Sequence, residues 1–352
     1  MNKKLSGCSI RRSRNMSSDE YSVLETIAAS EPGGYLATII DVTGSAYRKE
    51  GTMMYFSGDN QERGLLSGGC VEQDIVARIE SWETGIASAS VNYDMRSEDD
   101  LSWGQGVGCD GSITVLMEEL DDKAMNNLKI VKNWLDNGLT VEHIKVLKED
   151  LSSQASFFMN ETGERVGNWE AFDLAAFPEK RLTPKNDGGY YFRQTFRAQP
   201  RLIIYGAGPD ARPVADIAKK AGFHVIVADW RPALCNNKHF PDADMLVIGN
   251  PVELMEDFQA GSMDYIVIMT HHFQKDKELL NYLLEREYAF VGILGSKKRA
   301  DRLLEQKTKP LWLHSPVGLG INAEGPEQIA ISIAAQLIAV KNNKVRTLGL
   351  NG

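Results

Sequence analysis

The sequence predicts an α/β protein with a C-terminal doubly wound parallel sheet and a smaller α/β domain before it. Three observations support this fold class: a length of 352 residues, which is too great for one ordinary core, uninterrupted apolar runs after Pro200, and a glycine-rich turn between the first run and a helical pattern. Such runs are typical of strands that helices cover on both faces. We expect a disordered arm over 1–18, an N-terminal domain over 19–120, a connecting module over 121–198 and a Rossmann-like domain over 199–345.

Composition and charge argue against several classes of function. The formal net charge of -9 disfavours a nucleic-acid partner. The four cysteines are far apart and form no C-x-x-C pair, so we expect reduced thiols. The basic N-terminus is not followed by an apolar segment, and no apolar stretch approaches the roughly 18 residues of a membrane span. We therefore expect a cytoplasmic protein that does not associate with a membrane.

The N-terminal half alternates between strand and helix patterns. Apolar residues over 34–42 and 53–56 predict two strands. Between Val71 and Ile79 an apolar residue recurs every fourth position, the repeat of one helix face, and this places Cys70 in the first helical turn.

A third strand and a second helix follow in this half of the chain. The strand is expected over 113–117, and the helix stops near Gly138. Residues from about 141 to 198 show only two short strand-like runs around Asn160, which is why we assign them to a connecting module.

The C-terminal half repeats strand and helix more regularly. Further apolar runs predict strands over 224–229, 245–250, 265–271 and 289–295. Helical patterns lie before, between and after these strands. The first helix is expected to begin at Ala211 and to end at Gly222, the next two are expected over 277–287 and 298–306, and a long final helix is expected after Gly325.

The glycine-rich turn is the strongest local motif. Gly206, Gly208 and Ala211 form G-x-G-x-x-A between a strand and a helix, and Asp229 ends the next strand about 20 residues on. Glycines let the backbone approach a phosphate, and an acid at that position accepts hydrogen bonds from a ribose diol. However, Pro209 removes one N–H donor from the turn and Asp210 adds a negative charge, so the motif predicts the fold more firmly than a bound dinucleotide.

Two cysteines are candidates for chemistry. Cys70 follows Gly68 and Gly69 at a helix start, where a thiol can have a lowered pKa and a ligand has room to approach, so it could be a soft metal ligand or a nucleophile. Cys109 lies in a segment with four glycines. The alternative for both is structural, because free cysteine often packs as a small apolar residue and glycines also serve tight turns.

Two further segments follow strands, at the edge of a parallel sheet where ligands bind. His271 and His272 are adjacent, and neighbours on a strand point to opposite faces, so at most one of them is expected to be functional. Ser296 and Lys297 begin a basic segment that could bind an anion at a helix start or could form a solvated turn.

The residues by themselves leave more than one function open. No Walker loop, nucleophile elbow, H-E-x-x-H or iron–sulfur cysteine pattern is present, so no catalytic residue is assigned and a complete flavin and iron–sulfur molybdenum hydroxylase is excluded. One alternative is an NAD-dependent oxidoreductase that has Asp229 on the ribose and His271 as acid or base. Another is a nucleotide-binding sensor or scaffold.

Several strings together resemble the XdhC/CoxI family of xanthine dehydrogenase accessory factors. In the N-terminal half they are Gly44–Met54, Ser67–Glu72, Tyr93-Asp94 and Trp103–Gly111. In the C-terminal half they are Tyr205–Gly208, Ala228–Pro232, Met269–His272, Val291–Arg299 and Ser315–Ala330. The sequence departs from the family pattern at Pro209, where histidine is common, and at Asp110.

The resemblance implies an XdhC/CoxI-type N-terminal domain and the role of a molybdenum-cofactor chaperone in purine catabolism. Such a protein binds the cofactor, protects it during sulfuration and inserts it into apo-xanthine dehydrogenase or a related molybdenum hydroxylase. On this basis Cys70, and less firmly Cys109, would contact the molybdenum end, while Gly206–Asp210 or Gly295–Arg299 would contact the phosphate. A cysteine desulfurase and a second copy of the chain are further candidate partners, and NAD is a second candidate cofactor.

Overall fold

The computed structural model describes residues 18–31, 33–58, 62–82, 86–95, 111–168, 181–186, 188–305 and 307–342. Its contacts divide the chain into two compact units, Met1–Ala198 and Gln199–Gly352. No helix within the described ranges is long and apolar enough to cross a membrane. Cys109 lies outside the described residues, as does the expected arm up to residue 17.

The N-terminal unit contains two antiparallel sheets and three helices among its described residues. The helices are α1 (Ser18–Ala29), α2 (Cys70–Glu80) and α3 (Asp122–Asp136). The first sheet has the order β3-β2-β1-β5-β4, with β1 (Tyr35–Gly44), β2 (Met53–Phe56), β3 (Glu62–Gly64), β4 (Ser88–Asp94) and β5 (Gly111–Glu119). The second has the order β8-β7-β6-β10-β9, with β6 (Val141–Leu147), β7 (Ser153–Asn160), β8 (Arg165–Gly167), β9 (Leu182–Pro184) and β10 (Tyr190–Phe196).

The two sheets of this unit pack against each other. Ile40 and Leu116 of the first sheet share a buried cluster with Leu147 and Phe192 of the second. The helices α1 and α3 join a neighbouring cluster that also contains residues of both sheets. The opposite face of the first sheet is covered by α2 through residues such as Ile75. The unit is therefore layered as helix, sheet and sheet.

The second sheet differs from the short strand-like runs expected after residue 141. The described part of 141–196 contributes five antiparallel strands, and α3 and these strands belong to the same compact unit as the preceding residues. The reason is visible on β6, because its inward face includes the polar residues His143 and Lys145, which are only 2% and 3% exposed. Buried polar residues at core positions hide the apolar alternation that identifies a strand.

The C-terminal unit is built on one six-stranded parallel sheet of order β13-β12-β11-β14-β15-β16. The strands are β11 (Arg201–Tyr205), β12 (His224–Asp229), β13 (Met245–Ile248), β14 (Tyr265–Ile268), β15 (Phe290–Ile293) and β16 (Leu313–His314). The helices are α4 (Ala211–Lys220), α5 (Pro251–Asp257), α6 (Phe273–Leu283), α7 (Lys297–Leu304) and α8 (Gly325–Lys341). The predicted fold class, a Rossmann-like doubly wound sheet joined to an N-terminal α/β domain, is confirmed.

Helices cover both faces of the parallel sheet. On one face α4 and α8 pack on alternate residues of β11, including Leu202 and Ile204. On the other face α5, α6 and α7 pack on the residues between them, including Ile203 and Tyr205. This two-sided burial explains the uninterrupted apolar runs in the sequence. The edge strand β13 is the exception, since its apolar side chains are partly exposed.

Three helices of the C-terminal unit differ from the sequence expectation, and α1 of the N-terminal unit was not expected at all. Helix α6 begins four residues earlier than expected, because the His272 side chain accepts a hydrogen bond from the backbone N–H of Lys275 and caps it. Helix α7 ends at Leu304, since Glu305 adopts a left-handed conformation with φ of 47°. The seven-residue helix α5 was not expected, and its start is marked by Pro251 in the first turn.

We expect Gly206→Ala to lower the free energy of unfolding of the C-terminal unit by roughly 2–4 kcal/mol. Gly206 has φ of 119°, and an added Cβ would stand 2.5 Å from the backbone carbonyl of Met269. Urea unfolding of the full chain, with hydrogen exchange to locate the weakened unit, measures the effect. The control is Gly320→Ala, since a Cβ there meets no heavy atom within 4 Å. Equal unfolding midpoints for the two variants would contradict the expectation.

Candidate functional site

The candidate site of the C-terminal unit lies where the strand order reverses. Strands β12 and β13 lie on one side of β11, and β14, β15 and β16 on the other. In such sheets the crevice outside the carboxyl ends of the two central strands is the usual binding position. Gly206 follows β11 and Thr270 follows β14, and an added Cβ on Gly206 would stand 2.7 Å from the backbone nitrogen of Thr270. The segments after these two strands therefore form the two sides of the crevice.

The Asp229 carboxylate is already hydrogen-bonded to other residues of the chain. It is fully buried and accepts hydrogen bonds from the backbone N–H of Ala207 at 2.7 Å and of Arg231 at 2.8 Å. The Arg231 guanidinium adds two more, at 2.9 and 2.8 Å. Burial alone would raise the pKa of Asp229, but these hydrogen bonds outweigh it and the pKa is lowered. A carboxylate satisfied in this way is poorly placed to bind a ribose, which disfavours the NAD alternative.

The same contacts weaken the glycine-rich turn as an anion site. The N–H of Ala207 is used by Asp229, Pro209 has none, and the N–H of Ala211 donates to the carbonyl of Gly208 at 3.1 Å. Asp210 stands at the start of α4, where a phosphate would otherwise bind. The close approach of Gly206 to the backbone after β14 explains why a glycine stands there. The fold therefore accounts for this residue without a ligand.

The two adjacent histidines have different surroundings. His271 follows β14 at its carboxyl end, as expected, although the strand stops at Ile268, short of the apolar run, and His271 has a left-handed conformation with φ of 59°. Its Nε2 is 2.6 Å from Oδ2 of Asp210, and this hydrogen bond spans the crevice. The other carboxylate oxygen of Asp210 is buried and has no hydrogen-bond partner. His272 instead caps α6 and packs edge-on against Trp230, which makes it a structural residue.

A buried acid lies deeper at the same edge. Asp276 is 1% exposed, and it accepts hydrogen bonds from the hydroxyl of Thr270 and from Nη2 of Arg299, the latter at 2.8 Å. Burial raises the pKa of Asp276, although these two partners act in the opposite direction. The second terminal nitrogen of Arg299, Nη1, is buried and has no partner. An unsatisfied charged donor of this kind suits an anionic group.

The basic segment after β15 lies on the Arg299 side of this site. Ser296 caps α7 by accepting a hydrogen bond from the backbone N–H of Arg299 at 3.3 Å. Lys297 and Lys298 are exposed in the first turn of the same helix. The helix start and the two exposed lysines together form a positive surface, next to an Arg299 guanidinium that is paired with Asp276. Of the two anion sites that the sequence left open, this one has the more favourable charges.

In the N-terminal unit, the helix that begins at Cys70 is held by Glu72. The Glu72 carboxylate accepts hydrogen bonds from the backbone N–H groups of Leu66 at 2.9 Å, Ser67 at 2.6 Å and Gly69 at 3.0 Å, and from the hydroxyl of Ser67. Burial alone would raise the pKa of Glu72, but the hydrogen bonds prevail and lower it. The bond from the Gly69 N–H is the glutamate half of a capping box, since Gly69 has no side chain to return a bond, and it fixes the chain that leads into Cys70.

The glycines before Cys70 face open space. A Cβ on Gly68 or Gly69 would meet no heavy atom within 4 Å, and Gly69 has φ of 122°. The backbone therefore leaves room for a ligand to approach the helix start. The side chain of Cys70 is not among the described atoms, so its role stays a prediction. No group of three potential metal-ligating side chains occurs among the residues that the structure describes.

The structure adds functional candidates that sequence reasoning missed. Thr270, Asp276 and Arg299 come together only because β14 and β15 are neighbours in the sheet. Arg299 is far from the other two residues in the sequence, so no local motif indicated that they would meet. The role of Glu72 could have been found, because a glutamate at the third helical position that bonds back to the N-cap N–H is a known helix-start pattern.

Three family models match consecutive parts of the chain. They are described as the XdhC and CoxI family over residues 27–93, the BH1974-like central domain over 122–197 and the XdhC Rossmann domain over 202–337. A crystal structure titled as a xanthine dehydrogenase (BH1974) from Bacillus halodurans superposes with a TM-score of 0.85 and 42% identity. The match covers 95% of this chain and 98% of that one.

Curated relatives also match over most of their length. A Bacillus subtilis (strain 168) protein, named as a probable subunit of xanthine dehydrogenase, is 40% identical over 325 residues, which is 91% of this chain and 97% of that protein. The molybdenum cofactor insertion chaperone PaoD of Escherichia coli (strain K12) is 24% identical over 320 residues, or 89% and 85% of the two chains. These comparisons give no support to NAD as a cofactor.

We expect Glu72→Gln to destabilise the N-terminal unit by about 1–3 kcal/mol at pH 7. The lowered pKa of Glu72 means that its carboxylate stabilises the folded state above the unfolded value of about 4.3. That contribution is lost as the pH falls through the folded value. The difference between wild type and variant, measured by urea unfolding, should therefore shrink as the solution is acidified.

Glu80→Gln is the matched control for this prediction, because Glu80 is exposed on the same helix. It should change the unfolding free energy by less than about 0.5 kcal/mol at every pH. A Glu72→Gln difference that stayed constant with pH would show that the ionised carboxylate does not hold the helix start.

Proposed function

Because the chain belongs to the XdhC and CoxI family, we propose that it is an accessory protein that binds the molybdenum cofactor and delivers it to a molybdenum hydroxylase. In this proposal the protein protects the cofactor during sulfuration and inserts it into apo-xanthine dehydrogenase or a related enzyme. The cofactor is cargo, and no catalytic residue is assigned.

The observation that carries this proposal is similarity over nearly the whole chain to proteins named for this system. One is named as part of xanthine dehydrogenase and another as a molybdenum cofactor insertion chaperone. The similarity spans both compact units, so it is not explained by a shared Rossmann fold alone, which hosts many unrelated functions.

The geometry of the C-terminal unit fits the anionic end of such a cargo. The cofactor carries a terminal phosphate, and the buried Nη1 of Arg299 has no partner of its own. Ser296 and Lys297 at the start of α7 would supply further donors and positive charge. Asp210 and His271 would line the other side of the crevice, while Gly206, Gly208 and Asp229 would support it through the fold.

The N-terminal unit would contribute the sulfur chemistry. Cys70, which stands after two glycines that face open space, is the residue we assign to the molybdenum end, with Cys109 as a second candidate. A thiolate is a soft ligand suited to that end of the cofactor. Delivery would also need a docking surface for the hydroxylase, and we extend the proposal to a cysteine desulfurase and a homodimer only as partners to be tested.

Arg299→Lys tests the anion contact. Lysine keeps one positive charge beside Asp276 but removes the forked donors of the guanidinium. We expect the variant, purified from a cofactor-replete host, to carry at most about one tenth of the wild-type amount of cofactor, because it loses a charged hydrogen bond. Native mass spectrometry measures the bound cofactor. Arg302→Lys, the same change on the exposed side of α7, is the control and should retain the wild-type amount. Equal amounts of bound cofactor in the two variants would show that Arg299 does not bind the phosphate.

Cys70→Ala tests the thiol contact. We expect a loss of about ten- to a hundredfold in the reconstitution of apo-dehydrogenase activity, the usual effect of removing a metal contact. Cys235→Ala is the control, because the Cys235 thiol is buried in the C-terminal core and donates to the Val227 carbonyl at 3.4 Å. Wild-type reconstitution by Cys70→Ala would refute the assignment. Consumption of NADH with a carbonyl substrate would support the oxidoreductase alternative instead.

A further inference from the structure

A cavity in the N-terminal unit contains none of the residues assigned to cofactor delivery. Its volume is about 260 Å³, and it lies between the two antiparallel sheets and α3. Its inner wall is formed by buried residues that include Glu118, His143 and Lys145, and exposed residues such as Gln154 lie at its rim. The cavity thus leads from the surface to polar groups in the core.

Glu118 and Lys145 form a buried ion pair on the inner wall. They come from facing sheets, β5 and β6, and are only 8% and 3% exposed. Lys145 Nζ donates a hydrogen bond to Oε2 of Glu118. An ammonium group has three N–H donors, so two of them remain for another partner. A buried ion pair is costly to maintain unless further hydrogen bonds satisfy both groups.

His143 adds an unsatisfied polar atom to the same wall. Burial, and secondarily the charge of Lys145, lower its pKa well below the ordinary value, so the ring is neutral. Nε2 is 2.9 Å from the hydroxyl of Ser156, and the ring stacks on Phe158 with the centroids 4.1 Å apart. Nδ1 is buried and has no hydrogen-bond partner. In neutral imidazole this atom is either a donor or an acceptor.

The charges around the cavity disfavour strongly charged ligands. The charged residues that line it are Glu118, Glu119, Asp121, Lys123 and Lys145. At the inner wall Glu118 and Lys145 neutralise each other, so a neutral ligand with adjacent donor and acceptor matches both groups, whereas an anion is repelled by Glu118 and a cation by Lys145. Apolar side chains form the rest of the inner wall, among them Leu36, Leu128 and Phe158. A neutral ligand with one polar edge and one apolar face fits these surroundings.

The size of the cavity separates it from the proposed cargo. Sites for drug-sized ligands usually have volumes of about 300–1,000 Å³, and this cavity is smaller. It accommodates a molecule of one or two rings rather than a dinucleotide or a complete pterin cofactor with its phosphate.

We propose that this cavity binds a small neutral heterocycle through a cyclic amide edge. The Glu118 carboxylate accepts from the ring N–H, and the Lys145 ammonium donates to the adjacent carbonyl. Nδ1 of His143 pairs with a further ring nitrogen or substituent. The ligand supplies the hydrogen bonds that the buried ion pair lacks, and its other face packs on the apolar wall. This site is independent of cofactor delivery.

Isothermal titration calorimetry of the full chain tests the proposal with hypoxanthine, a neutral bicyclic ring with a cyclic amide edge. Indole serves as an apolar ring without that edge, and benzoate as an anion. We expect binding of hypoxanthine and at least about tenfold weaker binding of the other two, since each loses a charged hydrogen bond. No heat with hypoxanthine at millimolar concentration, or equal binding of indole, would overturn the proposal and leave a water-filled cavity.

Glu118→Gln should weaken hypoxanthine binding at least about tenfold. Glu142→Gln is the matched control, since Glu142 also forms an ion pair on β6, with Arg193 at 2.9 Å, but does not line the cavity. Because losing one member of a buried pair can unfold the unit, a second variant replaces both, Glu118→Leu with Lys145→Met. It should fold and lose binding. Retained binding in either cavity variant would overturn the proposal.

Arg299→Lys provides the last arm of the experiment. It should bind hypoxanthine as wild type does, because Arg299 belongs to the other compact unit. If Arg299→Lys instead lost hypoxanthine binding, the heterocycle would bind at the crevice of the C-terminal unit and the cavity proposal would be wrong. Failure of the cavity proposal and failure of the cofactor proposal are therefore distinguishable.

Discussion

The close approach of two strand ends at Gly206 is the constraint on which the C-terminal site depends. A residue with a Cβ at this position would collide with the backbone of Met269 and Thr270. Since β11 and β14 are the central strands of the sheet, their approach brings Asp210 and His271 within hydrogen-bonding distance across the crevice. It also places Thr270 where its hydroxyl donates to Asp276, which in turn holds Arg299. The charged groups of the crevice thus depend on one backbone contact.

The N-terminal unit follows a different rule, because it places charge inside its core. Glu118, His143 and Lys145 lie between two sheets whose other inward residues are largely apolar. Such groups usually reduce stability unless each is paired, and here the pairing is incomplete at Nδ1 of His143. The ligand proposed for the cavity would complete this pairing and would recover the lost stability.

Sequence reasoning predicted the fold of the C-terminal unit well and its chemistry less well. Apolar runs identified the strands and the spacing of glycines identified the turn, because both patterns involve residues that are close together in the chain. The role expected of Asp229 depended on whether its carboxylate was free, and only the structure places Arg231 and Ala207 against it. The triad of Thr270, Asp276 and Arg299 depends on strand order, which no local pattern encodes. The second sheet was hidden because polar residues occupy its inward positions, as at Lys145. The roles of Cys70 and Cys109 remain predictions.

The hydrogen bond between Asp210 and His271 has a consequence for how any anion would enter the crevice. The imidazole already faces a carboxylate, and His271 is mostly exposed while Asp210 is largely covered. An incoming phosphate would therefore find the imidazole already hydrogen-bonded to a carboxylate. To bind His271 the phosphate would have to replace Asp210, so the free energy gained would be only the difference between the two hydrogen bonds. The Asp210–His271 hydrogen bond therefore makes this side of the crevice a weaker anion contact than the helix start at Ser296.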